Sequence, residues 1–376
     1  MSSPPQAAPA LLAPPSEPVP DRKRRRPRFR GPRSLKAQLA VAALAMLLVP
    51  LAAPSPYVVR ICTLILLYSV LAVALNIVVG LAGLLDLGFI AFFGVGAYTY
   101  ALLASPLHSL HVSFWLVLPL GAGVAVLLGF FVGLPALRTH GDYLAIVTLG
   151  FGEIVAVLLI NLDRPVNITN GPQGVLSIDQ PHLGSYTIGS KDVYAGAFGI
   201  QAQTQFYLLF AVYAVVVIFC CLRLPTSRLG RAWRAMRESE VAASSCGVSI
   251  VRAKLSAFMF SAGIAGGAGV VTAAWYGSVF PDSFLFSESI RVLAMVVLGG
   301  MGSVWGCVLG AAALVVIPEL LRQFEQYRLL VFGLVLVLMM LFRPQGLLGG
   351  KAVVRRSRTP NGITSALGGL RRGGGR

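Results

Sequence analysis

Repeated apolar stretches of about 20 residues, separated by short polar or basic segments, constrain this chain more than any other feature. A hydrocarbon core about 30 Å thick is crossed by about 20 helical residues at 1.5 Å each. Stretches of that kind run at roughly 35–53, 57–79, 83–104, 113–134, 143–160, 205–222, 254–275, 288–303, 304–321 and 329–343. They predict an all-α fold, a polytopic transmembrane bundle of about ten spans. Composition agrees. Only 12% of the 376 residues are charged and 56% are hydrophobic, too little charge to coat a water-facing surface of this size. A soluble globular enzyme is excluded.

The charge that remains is lopsided, 31 Lys+Arg against 14 Asp+Glu. Residues 1–36 hold nine of the basic residues, 223–254 hold seven and 343–376 hold eight. Each block abuts an apolar run, which points to lipid headgroups and a positive-inside bias rather than to nucleic acid. All three blocks are therefore expected on the cytoplasmic side of a plasma (inner) membrane. Both termini lie inside, so the span count is even, which favours ten over nine. Residues 1–34 read as a disordered, basic, Pro-rich tail and 350–376 as a flexible basic one. The transmembrane body is 35–349, with 161–204 as an external loop. Gly299-Gly300-Met301-Gly302-Ser303 and Gly306 admit two readings: a tight turn between two short helices, or a broken helix lining a cavity.

The cytoplasmic loop 223–254 is distinctive. Leu229, Trp233, Met236 and Val241 recur at helical spacing, while Arg231, Arg234, Arg237 and Glu238 take the other side, and Gly247 is a natural stop. Such a short amphipathic helix would either lie on lipid headgroups or insert into a groove on a partner.

No energy source is visible. The chain lacks G-x-x-x-x-G-K-[ST], G-x-S-x-G and H-E-x-x-H, so no catalytic or metal-binding constellation is read from it. Intramembrane acids are costly and mark function; Asp86 and Glu153 are the ones to weigh. Either would serve a proton-coupled secondary carrier, or Glu153 would simply pair with a neighbouring helix. With Thr148 and Gly150, and with Gly94, Gly96, Gly299, Gly300 and Gly302, they form the candidate translocation path. Glycines at such positions let helices pack closely, slide or break.

The segment N-I-V-V-G-L-A-G-L-L-D-L-G at 76–88 with G-V-G-A-Y at 94–98 resembles branched-chain amino acid ABC transporter permeases. So do L-R-T-H-G-D-Y-L-A-I-V-T-L-G-F-G-E-I at 137–154, N-G-P-Q-G at 170–174, 230–247, V-L-G-G-M-G-S at 297–303 and R-P-Q-G-L at 343–347. The order is kept from about 57 to 349, the R-G-D-Y-type block within 137–154 places the chain with the LivM-like group, and the 141–148 block is nearer the amino acid permeases than the urea ones. The resemblance implies a homologous LivH-like permease partner, two separate ATPases that bind the ATP and Mg²⁺, and an external substrate-binding protein. No cofactor is then expected in this chain, and it is not itself an enzyme. The resemblance also implies an ATPase-coupling role for Gly230, Arg231, Trp233, Arg234, Arg237, Glu238, Glu240, Ala242, Ala243 and Gly247. Expected cargo is a branched-chain or other hydrophobic amino acid; urea or a short-chain amide is the alternative within the same architecture.

Overall fold

The computed structural model describes residues 55–106, 110–136, 142–163, 169–183, 186–189, 193–195, 198–200 and 202–320, with isolated residues 46, 139, 167, 333, 334, 337, 341, 346 and 347. The expected spans 35–53 and 329–343 and both tails lie outside this set, apart from a few isolated positions. Among the described residues, five helices are long and apolar enough to cross a membrane.

The first, α1 (Pro56–Asn76), continues into a π-helical segment, Ile77–Ala82, that Gly83 ends in the left-handed region at φ +75. The second helix, α2, covers only Ile90–Leu103. The sequence reading of one span over 83–104 is therefore corrected: 83–89 is non-helical. Some of its polar groups find partners outside a helical ladder, while Asp86 Oδ2 is buried without one among the described residues. Asp86 Oδ1 accepts from Gly88 N at 3.1 Å, and Leu87 N donates to Thr148 Oγ1 at 3.0 Å. Irregular backbone inside an apolar bundle persists only where protein supplies such partners.

Beyond it come α3 (Phe114–Ala136), α4 (Asp142–Asn161) and α5 (Ala202–Arg223). The 161–204 region, read as a plain polar loop, holds short ribbons: β1 (Val175–Leu176), β2 (His182–Leu183) with β3 (Tyr186–Thr187), and β4 (Val193–Ala195) with β5 (Phe198–Ile200). Two or three residues per strand give no readable alternation. After the polar loop, α6 (Arg228–Glu238) and α7 (Glu240–Ser245) lead into α8 (Ile250–Tyr276). Strand β6 (Ser278–Val279) pairs antiparallel with β1. Two short helices close the described chain, α9 (Phe286–Gly299) and α10 (Val304–Leu320). The turn between them is the tight one: Gly300 and Gly302 take φ +110 and +89, values that a side chain disfavours.

Helices α1 and α8 form the interior. Most of the apolar stretch within Pro56–Ala82 and within Ile250–Tyr276 is buried, against about a third of that in α3 and α4. Small residues make that interior possible. A Cβ on Gly96 would lie 2.1 Å from Gly266 O, and one on Gly269 would lie 2.2 Å from Phe93 O, so α2 and α8 touch backbone to backbone. Gly88 meets α4 in the same way, with Thr148 O 2.0 Å from where a Cβ would sit. Gly88→Val is therefore expected to cost about 2–3 kcal/mol by overpacking, read as a lower melting temperature of the detergent-extracted protein. Gly123→Ala, where a Cβ meets nothing within 4 Å, should leave it unchanged.

Candidate functional site

The polar loop folds as two capped helices. Ser227 Oγ accepts from Gly230 N at 3.1 Å to start α6, and Ser239 Oγ accepts from Ala242 N at 3.3 Å to start α7; both are N-caps that satisfy an orphan donor. Gly230, Trp233 and Met236 form the buried face of α6. Trp233 is fully buried, and its indole N–H donates to Ala253 O and Ser256 Oγ, both at 3.0 Å, at the start of α8.

The expected apolar stripe is corrected at both ends. Leu229 is 39% and Val241 78% exposed. Gly230 takes the inner position next to Leu229, because without a side chain it approaches Leu224 O, which would lie 2.0 Å from a Cβ. Ser239 is extended, with φ −165 and ψ 119, so the helical phase is reset before Val241. The outward surface thus carries Leu229, Arg231, Arg234, Glu238, Val241, Ala242 and Gly247. Arg231 donates to Thr226 O at 2.6 Å and Arg234 to Pro225 O, fastening the turn that enters α6. Ala243 is buried. Gly247 has φ +80 and open space where a side chain would go.

Two charges tie this unit to the bundle. Glu240 pairs at 3.0 Å with Lys254, whose side chain is 2% exposed. Arg237 is exposed, as its outer-face position predicts, and its guanidinium also reaches back to donate to Gly80 O in the π segment. Its aliphatic stem covers Gly83, where a Cβ would meet Arg237 Cγ at 2.6 Å. Beside it, Gly302 N donates to Asn76 Oδ1 at 2.7 Å. Gly80 leaves the room for that bond, since its Cβ would sit 1.9 Å from the same oxygen. One cluster therefore joins α6, the π segment and the Gly300–Ser303 turn. Asn76 and Lys254 escaped sequence reading. The available signals were an amide followed by glycine four residues on inside an apolar run, and a lysine at the edge of one.

The candidate path residues fall in several places. Asp86 is buried in the 83–89 segment, and Thr148 supports that segment while donating to Ala145 O at 3.0 Å. Gly94 lies against Phe284 and Gly96 against Gly266. Gly299 crosses α10 at Gly306, with 2.2 Å from a Cβ to Gly306 O. Gly150 has nothing within 4 Å, and Glu153 is exposed on the same side of α4. The structure does not gather these residues into one constellation.

Long apolar helices, half-length helices packed among them and a polar helix pair pinned to the point where another helix breaks fit a polytopic membrane protein. The chain belongs to the family described as branched-chain amino acid transport system / permease component, whose profile matches residues 57–342. It is 47% identical over 301 residues to the high-affinity branched-chain amino acid transport system permease protein LivM of Salmonella typhimurium, covering 77% of this chain and 69% of that protein. The LivM protein of Escherichia coli is 46% identical over the same shares. Similarity to LivH of Salmonella typhimurium is 24% over 289 residues, 75% of this chain and 91% of that one. No solved structure matches the chain.

Proposed function

We propose that this chain is the LivM-type membrane subunit of an ATP-driven importer that carries branched-chain amino acids into the cell. The observation that carries the reading is the 47% identity to LivM over 77% of the chain. In this reading the protein spans the inner membrane about ten times with both termini cytoplasmic. ATP and Mg²⁺ bind separate ATPase subunits, and a binding protein delivers substrate to the side bearing the 161–204 ribbons.

The outward face of α6–α7 serves the ATPases. Its exposed Leu229 and Val241 and its small residues around Gly247 offer a close-fitting surface, with Arg231, Arg234 and Glu238 at the rim. The second, LivH-like permease meets α4. The exposed residues of α3 are Trp115, Leu116, Leu120, Val124, Leu127, Phe130, Phe131 and Leu134, a face suited to lipid. Glu153 and Gly150 on α4 are not, because a carboxylate facing hydrocarbon is strongly disfavoured.

The test is uptake of labelled L-leucine by cells lacking their own branched-chain importers and expressing this chain with the other subunits of its importer. Uptake should appear and vanish when the ATPases are omitted. No leucine uptake by the complete set, or uptake that survives without ATPases, refutes the reading.

A further inference from the structure

We infer that a leucine-sized zwitterion binds this subunit halfway through the bundle, at the cluster Tyr68–Glu288–Arg291 and the cavity beside it; the inference rests on the import function proposed above. Helices α2 and α9 are each 14 residues long, about 21 Å, so each completes its crossing only together with the irregular stretch before it. They begin together: Ile90 N, at the start of α2, donates to Ser289 Oγ in the first turn of α9 at 3.2 Å. Tyr68, next to this junction, lies about 18 Å along α1 from Pro56, near the middle of the continuous Pro56–Ala82 helix.

At that level a cavity of about 400 Å³ opens, within the size range of small-molecule sites. Leu67, Leu71, Phe93 and Ala97 supply apolar wall, and Tyr68 and Glu288 supply polar wall. Arg291 stands beside them. It pairs with Glu288 at 2.8 Å and donates to Tyr68 Oη at 3.2 Å, while the Tyr68 hydroxyl donates to the second Glu288 oxygen at 3.2 Å.

The chemistry matches one kind of guest. An amino acid brings an ammonium, a carboxylate and a side chain. Glu288 and the Tyr68 oxygen accept from the ammonium, Arg291 grips the carboxylate, and the apolar wall takes the branched side chain. Net charge in the site is unchanged by entry, because one ion pair is exchanged for two and reforms on departure. That exchange favours occupancy without trapping the guest. The position of Arg291 adds an independent constraint. Its side chain is 45% exposed, and a cation at this depth cannot face hydrocarbon. The face it occupies therefore belongs to the water-accessible path or to the second permease. Sequence reading passed over all three residues: Glu288 and Arg291 sit at the edge of an apolar run, and a lone tyrosine within one carries no signal.

The test uses the complete importer in proteoliposomes, with labelled L-leucine and L-valine and ATP hydrolysis recorded in parallel. Ala97→Leu fills the apolar wall, and Ser283→Leu fills the cavity from the opposite lining segment. Each should lower the leucine-to-valine uptake ratio at least tenfold, since one methylene discriminates by about 10–200-fold in a fitted pocket. Glu288→Gln should reduce uptake of both at least tenfold while ATP hydrolysis in response to loaded binding protein persists. If Ala97→Leu does not assemble, the Ser283→Leu ratio decides. Unchanged ratios in intact complexes overturn the site and leave the import function standing. Absence of leucine uptake by the wild-type importer overturns both.

Discussion

Arg237→Gln is expected to lower leucine uptake at least tenfold while the ATPases still co-purify and hydrolyse ATP. The guanidinium of Arg237 reaches out of α6 to Gly80 O and its stem covers Gly83. At the same place Asn76 holds Gly302, so the break in the first described helix and the glycine turn share one contact point. Under the coupling role proposed for α6, a pull on this helix would reach both breaks through this side chain. Glutamine keeps a donor but loses the reach and the charge. Arg237→Lys keeps both and loses the planar fork, so it should fall between wild type and Arg237→Gln. Coupling through this contact requires that it differ between the two states of the importer. Uptake and hydrolysis that fall together, in proportion to lost assembly, would mean that Arg237 only holds the fold.

Glu240→Lys should leave the protein in the membrane and lower recovery of the ATPases at least tenfold. Lys254 is nearly inaccessible, and Glu240 answers it at 3.0 Å. Removing one member of a buried pair costs about 3–5 kcal/mol, because the remaining charge is left without a partner; a second cation adds repulsion. Helix α7 then leaves its seat and takes the exposed docking surface with it. The reciprocal variant Glu240→Lys/Lys254→Glu restores an ion pair at the same place and should recover most ATPase binding, measured by co-purification at matched membrane levels. A reciprocal variant no better than the single one would show that Glu240 touches the ATPase directly.

The long helices were legible because each carries a single uninterrupted apolar run: α1, α3, α4, α5 and α8 fall within a few residues of the stretches at 57–79, 113–134, 143–160, 205–222 and 254–275. Helix α6 was legible as well, since Trp233 and Met236 sit three residues apart in a polar setting. What hydropathy could not convey was the break at 83–89. Leu84, Leu85 and Leu87 are as apolar as any helical run, and only Gly83, Asp86 and Gly88 hint that the backbone leaves the helix. Nor could spacing predict that Arg237 reaches Gly80, because this partner lies 157 residues away and is a backbone carbonyl. Long-range polar pairs such as Asn76 with Gly302 or Glu288 with Tyr68 have no local pattern. They are fixed only once the helices have packed.

Helices of 14 residues also bear on how the chain is made. Insertion into a bilayer, one segment at a time as translation proceeds, selects apolar stretches near 20 residues long. The helix Ile90–Leu103 and its counterpart Phe286–Gly299 fall short, and the former begins at a stretch where Leu87 N is held by Thr148 and Ile90 N by Ser289, residues synthesised later. These two pieces are therefore expected to enter their places after the long neighbours, with the Ile90–Ser289 contact waiting on nearly 200 further residues. Biogenesis of this subunit has a late step, and a nascent chain cut off before residue 289 should be held by insertion factors or degraded rather than released as a stable fragment.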